Sequence, residues 1–117
     1  MLVINYQYIQ LDYLETMTDG DPDMMQTMLD MLIMEIPEEI EKMNVALAAQ
    51  DWEELFQLSH KMKTTLSFIG NEEIIEANKT VEHNARHREN LDTVPSLVAT
   101  IDNLGAKVVN ELRQVGQ

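Results

Sequence analysis

The residue best suited to chemistry in this sequence is His60, which stands in a stretch of unusual composition for a helix. Lys63 follows three residues later, and Thr64, Thr65 and Ser67 add small hydroxyl side chains. Each of these hydroxyl residues costs roughly a few tenths of a kcal/mol relative to alanine in a helix. Residues that go against local preference without a gain in packing indicate a functional site.

Helical periodicity places His60 on the solvent side of this stretch. At 100° per residue, the apolar positions fall into one sector, and His60 lies about 130° from its centre. The inward sector comprises Trp52, Leu55, Ser59, Met62, Leu66 and Ile69. Histidine is partly neutral near physiological pH, so an exposed imidazole can act as a nucleophile that another protein reaches. Lys63, one turn away, would offset the negative charge of a phosphoryl group added to that ring.

The neighbours of His60 predict a surface for a docking partner. We expect Gln57, Lys61, Thr64 and Ser67 to form it. Small side chains at Thr64 and Ser67 would let the partner's backbone come close to the ring. The residue types alone fit an ordinary surface histidine beside a lysine equally well, and both interpretations stay open at this point.

Composition and charge exclude several classes of function. The chain has 117 residues and a net charge of −13, which argues against nucleic acid because phosphate contacts need clustered lysine and arginine. The absence of cysteine excludes disulfides and thiolate metal sites. No apolar run is long enough to span a membrane, and the first residues lack the pattern of a signal peptide. We therefore expect a cytoplasmic protein.

The acidic residues are unevenly distributed along the chain. Residues 1–56 contain thirteen acids and one base, whereas residues 57–117 contain eight acids and seven bases. Several of these bases lie near His60 in sequence. An acidic body with a less acidic patch can orient a docking partner.

Turn and capping residues divide the chain into helices. Residues 1–8 are predicted to form an N-terminal arm of a single domain over residues 1–117, followed by a short helix that carries Ile9 and Met17. Asp21 is suited to cap the next helix, with Pro22 in its first turn. Pro37 should kink this helix or begin a new one.

Two further boundaries frame the helix of His60. Asp51 caps its start, and Glu54 three residues later resembles a capping box. Gly70 ends this helix, and Asn71 caps the following one. The last helix begins near Pro95. Short connections between long amphipathic helices predict an all-α fold: an antiparallel up-and-down four-helix bundle with a short extra N-terminal helix.

Two spacings hint at metal binding but fit helix structure better. His83 and His87 are four residues apart, as in a two-histidine zinc face, yet no third ligand is evident and Arg86 and Arg88 would repel a cation. Residues 19–23 faintly resemble a calcium loop that lacks the required glycine and glutamate. We therefore predict no metal site.

The stretch around His60 resembles the signature of histidine-containing phosphotransfer (HPt) domains of bacterial phosphorelays. His60, Met62, Lys63 and Gly70 match that signature, as does Thr65 as a small residue. The similarity extends over about residues 9–114, and it includes residues 19–22, 37–39 and 49–55. The main departure is Thr64, where the family usually has glycine.

The resemblance implies a phosphocarrier. His60 would accept a phosphoryl group from a receiver-domain phospho-aspartate and pass it to another receiver, while Lys63 compensates charge. The implied partners are response-regulator receivers and a hybrid sensor kinase, and the receiver would supply Mg²⁺, so that the chain needs no cofactor of its own. We expect a monomer. We also expect no ATP-dependent kinase activity, because the chain has no glycine-rich phosphate loop.

Two other functions compete with this one. A binding module could dock receivers without being phosphorylated, and Thr64 favours that possibility. The dimerising histidine domain of a sensor kinase usually has an acidic residue after its histidine and a proline soon after. Lys61 and the lack of proline between Pro37 and Pro95 argue against it.

Overall fold

Over residues 6–116, the fold consists of four long antiparallel helices and one short helix. The computed structural model describes residues 6–116, and these residues include no β-strand. The helices are α1 (Asp12–Thr18), α2 (Pro22–Ala48), α3 (Trp52–Ser67), α4 (Glu72–His87) and α5 (Val94–Val115), with a 3-10 turn at Leu91–Thr93. Helices α2 to α5 each pack against the next, and α5 packs back on α2, while α1 packs on α2. The predicted up-and-down bundle with an extra N-terminal helix is confirmed.

The predicted caps begin three of the helices. The Asp21 carboxylate accepts hydrogen bonds from the Asp23 and Met24 backbone nitrogens at 2.9 and 3.2 Å. Asp51 and Asn71 accept in the same way from the nitrogens three residues later, at 3.1 and 3.0 Å. Each cap satisfies donors that the first helical turn leaves free, so these residues determine where α2, α3 and α4 begin.

The structure decides between the two alternatives predicted at Pro37 and departs from the prediction at Ile9. Helix α2 runs through Pro37 without ending, so a new helix does not begin there. Helix α1 begins at Asp12, so Ile9 lies ahead of the helix on which it was predicted. Ile9 is nevertheless only 4% exposed, because the non-helical residues before α1 pack on the core. Residues 1–5 of the predicted arm lie outside the described residues.

Contacts with Glu111 and Asn71 hold the N-terminal segment against the bundle. The Glu111 carboxylate on α5 accepts hydrogen bonds from the backbone nitrogens of Gln7, Tyr8 and Ile9 at 2.9, 2.7 and 3.1 Å. The Asn71 amide donates to the Tyr8 carbonyl at 2.9 Å. We call residues 7–9 together with Glu111 the N-terminal clasp. It joins the first described residues to the last helix.

A buried polar pair fixes α3 against α4. The Ser59 hydroxyl lies 2.7 Å from the side-chain oxygen and 2.9 Å from the backbone oxygen of Asn78, and the Asn78 amide donates to the Ser59 carbonyl at 3.0 Å. Both residues are almost fully buried. Because buried polar groups are costly without partners, this mutual satisfaction favours one register of the two helices.

Helices α2 and α5 approach closely at Gly105. A Cβ atom at that position would collide with Ile40 Cδ1. The absence of a side chain at Gly105 therefore allows the two helices to come this close. Among residues 6–116, no helix is both long and apolar enough to cross a membrane.

Candidate functional site

His60 lies on the outer face of α3, with 60% of its side chain exposed. The inward positions of the same helix behave as the periodicity predicts, because Leu55, Met62 and Leu66 are at most 1% exposed. Ser59, the residue directly before His60, is locked to Asn78 in the core. The backbone that carries the imidazole is therefore held from inside while the ring remains accessible from outside.

The imidazole of His60 is oriented by a carboxylate on the neighbouring helix. Its Nδ1 lies 2.8 Å from Oε2 of Glu82 on α4. An ionised carboxylate only accepts hydrogen bonds, so this contact places the proton on Nδ1. The neutral ring then carries its lone pair on Nε2, the nitrogen that is not bound to Glu82. This is the tautomer of a nucleophilic imidazole with Nε2 as the attacking atom.

Lys63 shares the same carboxylate. Its Nζ lies 3.4 Å from the other oxygen of Glu82, Oε1. The Glu82 side chain is only 17% exposed, whereas the Lys63 side chain is 49% exposed. Lys63 therefore lies in the cluster with His60, as the sequence predicted, but its partner in this structure is Glu82.

An aromatic ring and an arginine extend this cluster towards the start of α3. The Phe56 ring lies 6.0 Å from the His60 ring, centroid to centroid. The Arg86 guanidinium of α4 lies over the same Phe56 ring, 5.5 Å from its centroid. Such cation–π contacts are favourable. This one places a positive charge next to the aromatic ring that neighbours the imidazole.

All four predicted docking residues, Gln57, Lys61, Thr64 and Ser67, are exposed along α3. The Ser67 hydroxyl donates to the Thr64 carbonyl at 2.6 Å, so it is turned back onto its own helix. Gly70 ends the segment with a φ of 70°, in the left-handed region that glycine adopts most easily.

Thr65 points the other way, into the contact between α3 and α2. It is 7% exposed, and its hydroxyl lies 3.4 Å from Oε1 of Glu39. Burial raises the pKa of the Glu39 carboxyl, the nearby Glu35 raises it further, and the Thr65 hydrogen bond opposes these effects. The second Glu39 oxygen has no hydrogen-bond partner. Helix α3 thus packs against the Glu39 carboxyl group, which is largely shielded from water.

Sequence reasoning missed Glu82, Arg86 and the contact of Phe56 with the ring. Glu82 carries a signal that helical-hairpin geometry could have used. Residues equally far from the turn face each other in an antiparallel pair, and His60 lies ten residues before Gly70 while Glu82 lies eleven after Asn71. Arg86 is one turn further along the same face of α4.

The two other histidines lie in the last two turns of α4, directly after Glu82 and Arg86 in the sequence. The His83 and His87 rings are 4.6 Å apart, and His83 Nε2 lies 3.3 Å from a Glu89 oxygen. Within residues 6–116, no group of three potential metal-ligating side chains comes together.

Comparisons with known proteins agree with the geometry. The family model of the Hpt domain matches residues 27–115. The fold is similar to the crystal structure of histidine-containing phosphotransfer protein B (HptB) from Pseudomonas aeruginosa PAO1, with a TM-score of 0.85, 23% identity and 97% of each chain covered. It is also similar to the HPT domain of a sensor hybrid histidine kinase from Shewanella, with a TM-score of 0.73, 23% identity and 92% of each chain covered. A search of curated proteins finds no significant match.

Proposed function

Because the chain belongs to the Hpt domain family and is a histidine phosphotransfer protein of phosphorelays, we propose that His60 is the residue that carries its phosphoryl group. The observation that supports this most directly is the 2.8 Å contact between His60 Nδ1 and Glu82 on an otherwise exposed ring. It leaves Nε2 unprotonated and open to a partner.

The proposed reaction is a reversible transfer between nitrogen and oxygen. Nε2 of His60 attacks the phosphorus of a receiver's phospho-aspartate, a P–N bond forms, and the P–O bond breaks with the aspartate leaving as a carboxylate. The proton stays on Nδ1, where the Glu82 carboxylate stabilises the positive charge that develops on the ring. Reversal with a second receiver completes the relay.

The remaining residues of the cluster act on charge and access. Lys63 can turn from Glu82 towards the phosphoryl oxygens and offset their charge, since its side chain is half exposed. Gln57, Lys61, Thr64 and Ser67 form the surface that the receiver covers. Mg²⁺ held by the receiver would neutralise the phosphoryl group during transfer.

The proposal also includes the setting in which the chain works. Its partners are receiver domains and a hybrid sensor kinase, and it acts as a monomer in the cytoplasm without contacting nucleic acid. The net charge of −13 supports the last point.

The test is His60→Gln, which removes the nucleophile from an exposed position and should leave the helical fold intact. We expect phosphoryl uptake from a radiolabelled phospho-receiver to be lost completely. The wild-type label should be labile in acid and stable in base, as a phosphoramidate is. His83→Gln and His87→Gln serve as matched controls and should keep full uptake. Label retained by the His60→Gln variant would overturn the assignment.

A second candidate is a module that docks receivers without accepting a phosphoryl group. Thr64 favours it, because an exposed β-branched residue stands one turn beyond His60 where the family usually has glycine. A chain that binds a receiver but takes no label from its phosphorylated form would support this function instead.

A further inference from the structure

We propose that the groove between α3 and α4 beside His60 receives an apolar side chain of the receiver. Acidic groups of the receiver surround that side chain. The proposal rests on the proposed function and adds a specificity-determining contact to it. We call this depression the α3–α4 groove. It has a volume of about 210 Å³ and is lined by Lys63, Leu66, Ser67, Ile75, Asn78, Lys79 and Glu82.

The shape of the groove suits a single apolar side chain. Leu66 is 1% exposed and Ile75 is partly buried, and both pack into the core cluster. The accessible lining is mainly apolar, although charged residues surround it. A pocket with an apolar lining and a few polar groups at its rim is typical of an anchoring site at an interface.

The rim of the groove carries unbalanced positive charge. Two cations, Lys63 on α3 and Lys79 on α4, line it together with a single carboxylate, that of Glu82. Lys79 is exposed and forms no ion pair with any residue of the described part of the chain, although the molecule is strongly acidic. An acidic partner would be complementary to this rim and would be repelled by most of the remaining surface.

The groove is continuous with the cluster formed by His60, Glu82 and Lys63. Glu82 and Lys63 belong to both, because Glu82 contacts His60 with one oxygen and Lys63 with the other. A receiver that brings its aspartate to His60 Nε2 must therefore lie next to the groove. Because of this position, the protein that fills the groove is the same receiver that exchanges phosphoryl groups with His60.

The test uses two variants that change the groove and leave His60 unaltered. Lys79→Glu reverses a rim charge, and Ile75→Ala shortens a lining side chain. Arg113→Glu on α5 and Ile33→Ala on α2 are the controls, because they reverse a positive charge and shorten an isoleucine elsewhere in the bundle. Purified receiver domains from the source genome are screened, and the one that exchanges phosphoryl groups fastest with the wild-type chain is used.

Groove variants should need about tenfold more receiver for half-maximal transfer, with little change in the maximal rate, and the Lys79→Glu effect should shrink as salt is raised. Phosphoramidate, a small phosphodonor that needs no docking, should label all four variants at the wild-type rate. Groove variants that transfer like their controls would overturn the inference alone. Failure of both phosphoramidate and phospho-receiver to label His60 would overturn the proposed function, and the inference with it.

Discussion

At the residue scale, His60 and Lys63 share one carboxylate, and that sharing determines how each substitution should act. Glu82 holds the ring proton with one oxygen and the ammonium with the other. In the proposed transfer, a phosphoryl group on Nε2 would give Lys63 a second anion to contact. Its contribution to transfer is therefore the difference between its attraction to Glu82 and its attraction to the phosphoryl oxygens.

Lys63→Ala should slow transfer without abolishing it, because the lysine offsets charge and forms no bond. An exposed charge interaction is worth roughly 1 kcal/mol or less, which corresponds to a loss of up to about fivefold in rate. Single-turnover transfer from a phospho-receiver measures the effect. Lys63→Arg keeps the charge and should recover most of the rate. A Lys63→Ala variant as fast as wild type would remove Lys63 from the site.

Thr64 should control how closely a receiver approaches. Thr64→Gly should quicken transfer or broaden receiver choice, while Thr64→Gln should block docking. The glycine change should also destabilise the helix by up to about 1 kcal/mol. Activity and stability would then move in opposite directions, which a general unfolding effect cannot produce.

Thermal melts and transfer rates on both Thr64 variants and the wild type provide the measurement. Ser67→Gln, one turn further along α3, tells whether bulk matters only at Thr64. If Thr64→Gln transfers at the wild-type rate, the receiver does not approach over this turn of α3.

At the element scale, the packing of α3 on α2 includes a buried carboxyl group, that of Glu39, whose hydrogen-bonding capacity is only partly satisfied. Glu39 is 8% exposed, and only one of its oxygens is bonded, to Thr65. A buried acceptor without a partner costs about 1–3 kcal/mol. Helix α2 thus holds α3 in place while it keeps a local source of instability directly behind the docking surface.

Glu39 should make folding stability depend on pH. Burial raises its folded-state pKa above the ordinary value of 4.5, so the folded chain keeps a proton that the unfolded chain has released. Stability from this group is therefore complete below that ordinary value and is lost as the pH rises through the folded pKa. Glu39→Gln should stabilise the protein by about 1 kcal/mol at neutral pH and have little effect in acid.

Melting curves of wild type and Glu39→Gln at a series of pH values check this expectation. Glu38→Gln is the matched control, because it makes the same substitution at an exposed position of the same helix. A gain from Glu39→Gln that stays constant with pH would show that ionisation is not its cause.

The sequence predicts elements well and contacts between elements poorly, for a physical reason. Asp21, Asp51 and Asn71 act on their own helices, within three residues, so local patterns are enough to place those helix starts. Glu82 acts on His60 from another helix, and that pairing depends on the register of α3 and α4. The length of α2 through Pro37 likewise depends on tertiary packing, which overrides the local preference of proline.

At the scale of the whole molecule, the N-terminal clasp connects the two ends of the described chain. One carboxylate, that of Glu111, accepts three backbone hydrogen bonds from residues more than a hundred positions away. Lys107, one turn before it, lies over the Tyr8 ring at 5.3 Å from the centroid. Tyr8 also binds Asn71 at the turn between α3 and α4. The clasp therefore supports the end of the bundle where the helix of His60 stops.

Glu111→Ala should release the N-terminal segment and destabilise the protein by about 2 kcal/mol, since hydrogen bonds to a charged group are stronger than neutral ones. Amide hydrogen exchange at Gln7, Tyr8 and Ile9 should accelerate, while the amides of α3 near His60 should change much less. Glu111→Gln keeps an acceptor and should lose less stability. Unchanged exchange at all three amides in the alanine variant would refute the role of the clasp.

The hydrogen bonds between Ser59 and Asn78 fix the position of α4 along α3, and with it the contact between His60 and Glu82. Sliding α4 along α3 to the next helical register would shift it by about 5.4 Å, one full turn. That step is longer than the whole 2.8 Å contact between His60 and Glu82. The contact between His60 and Glu82 is therefore either formed or lost, and small changes in helix packing do not tune its strength. Anyone who grafts this histidine and its carboxylate onto another helical hairpin would need to transplant the serine and asparagine beneath them as well.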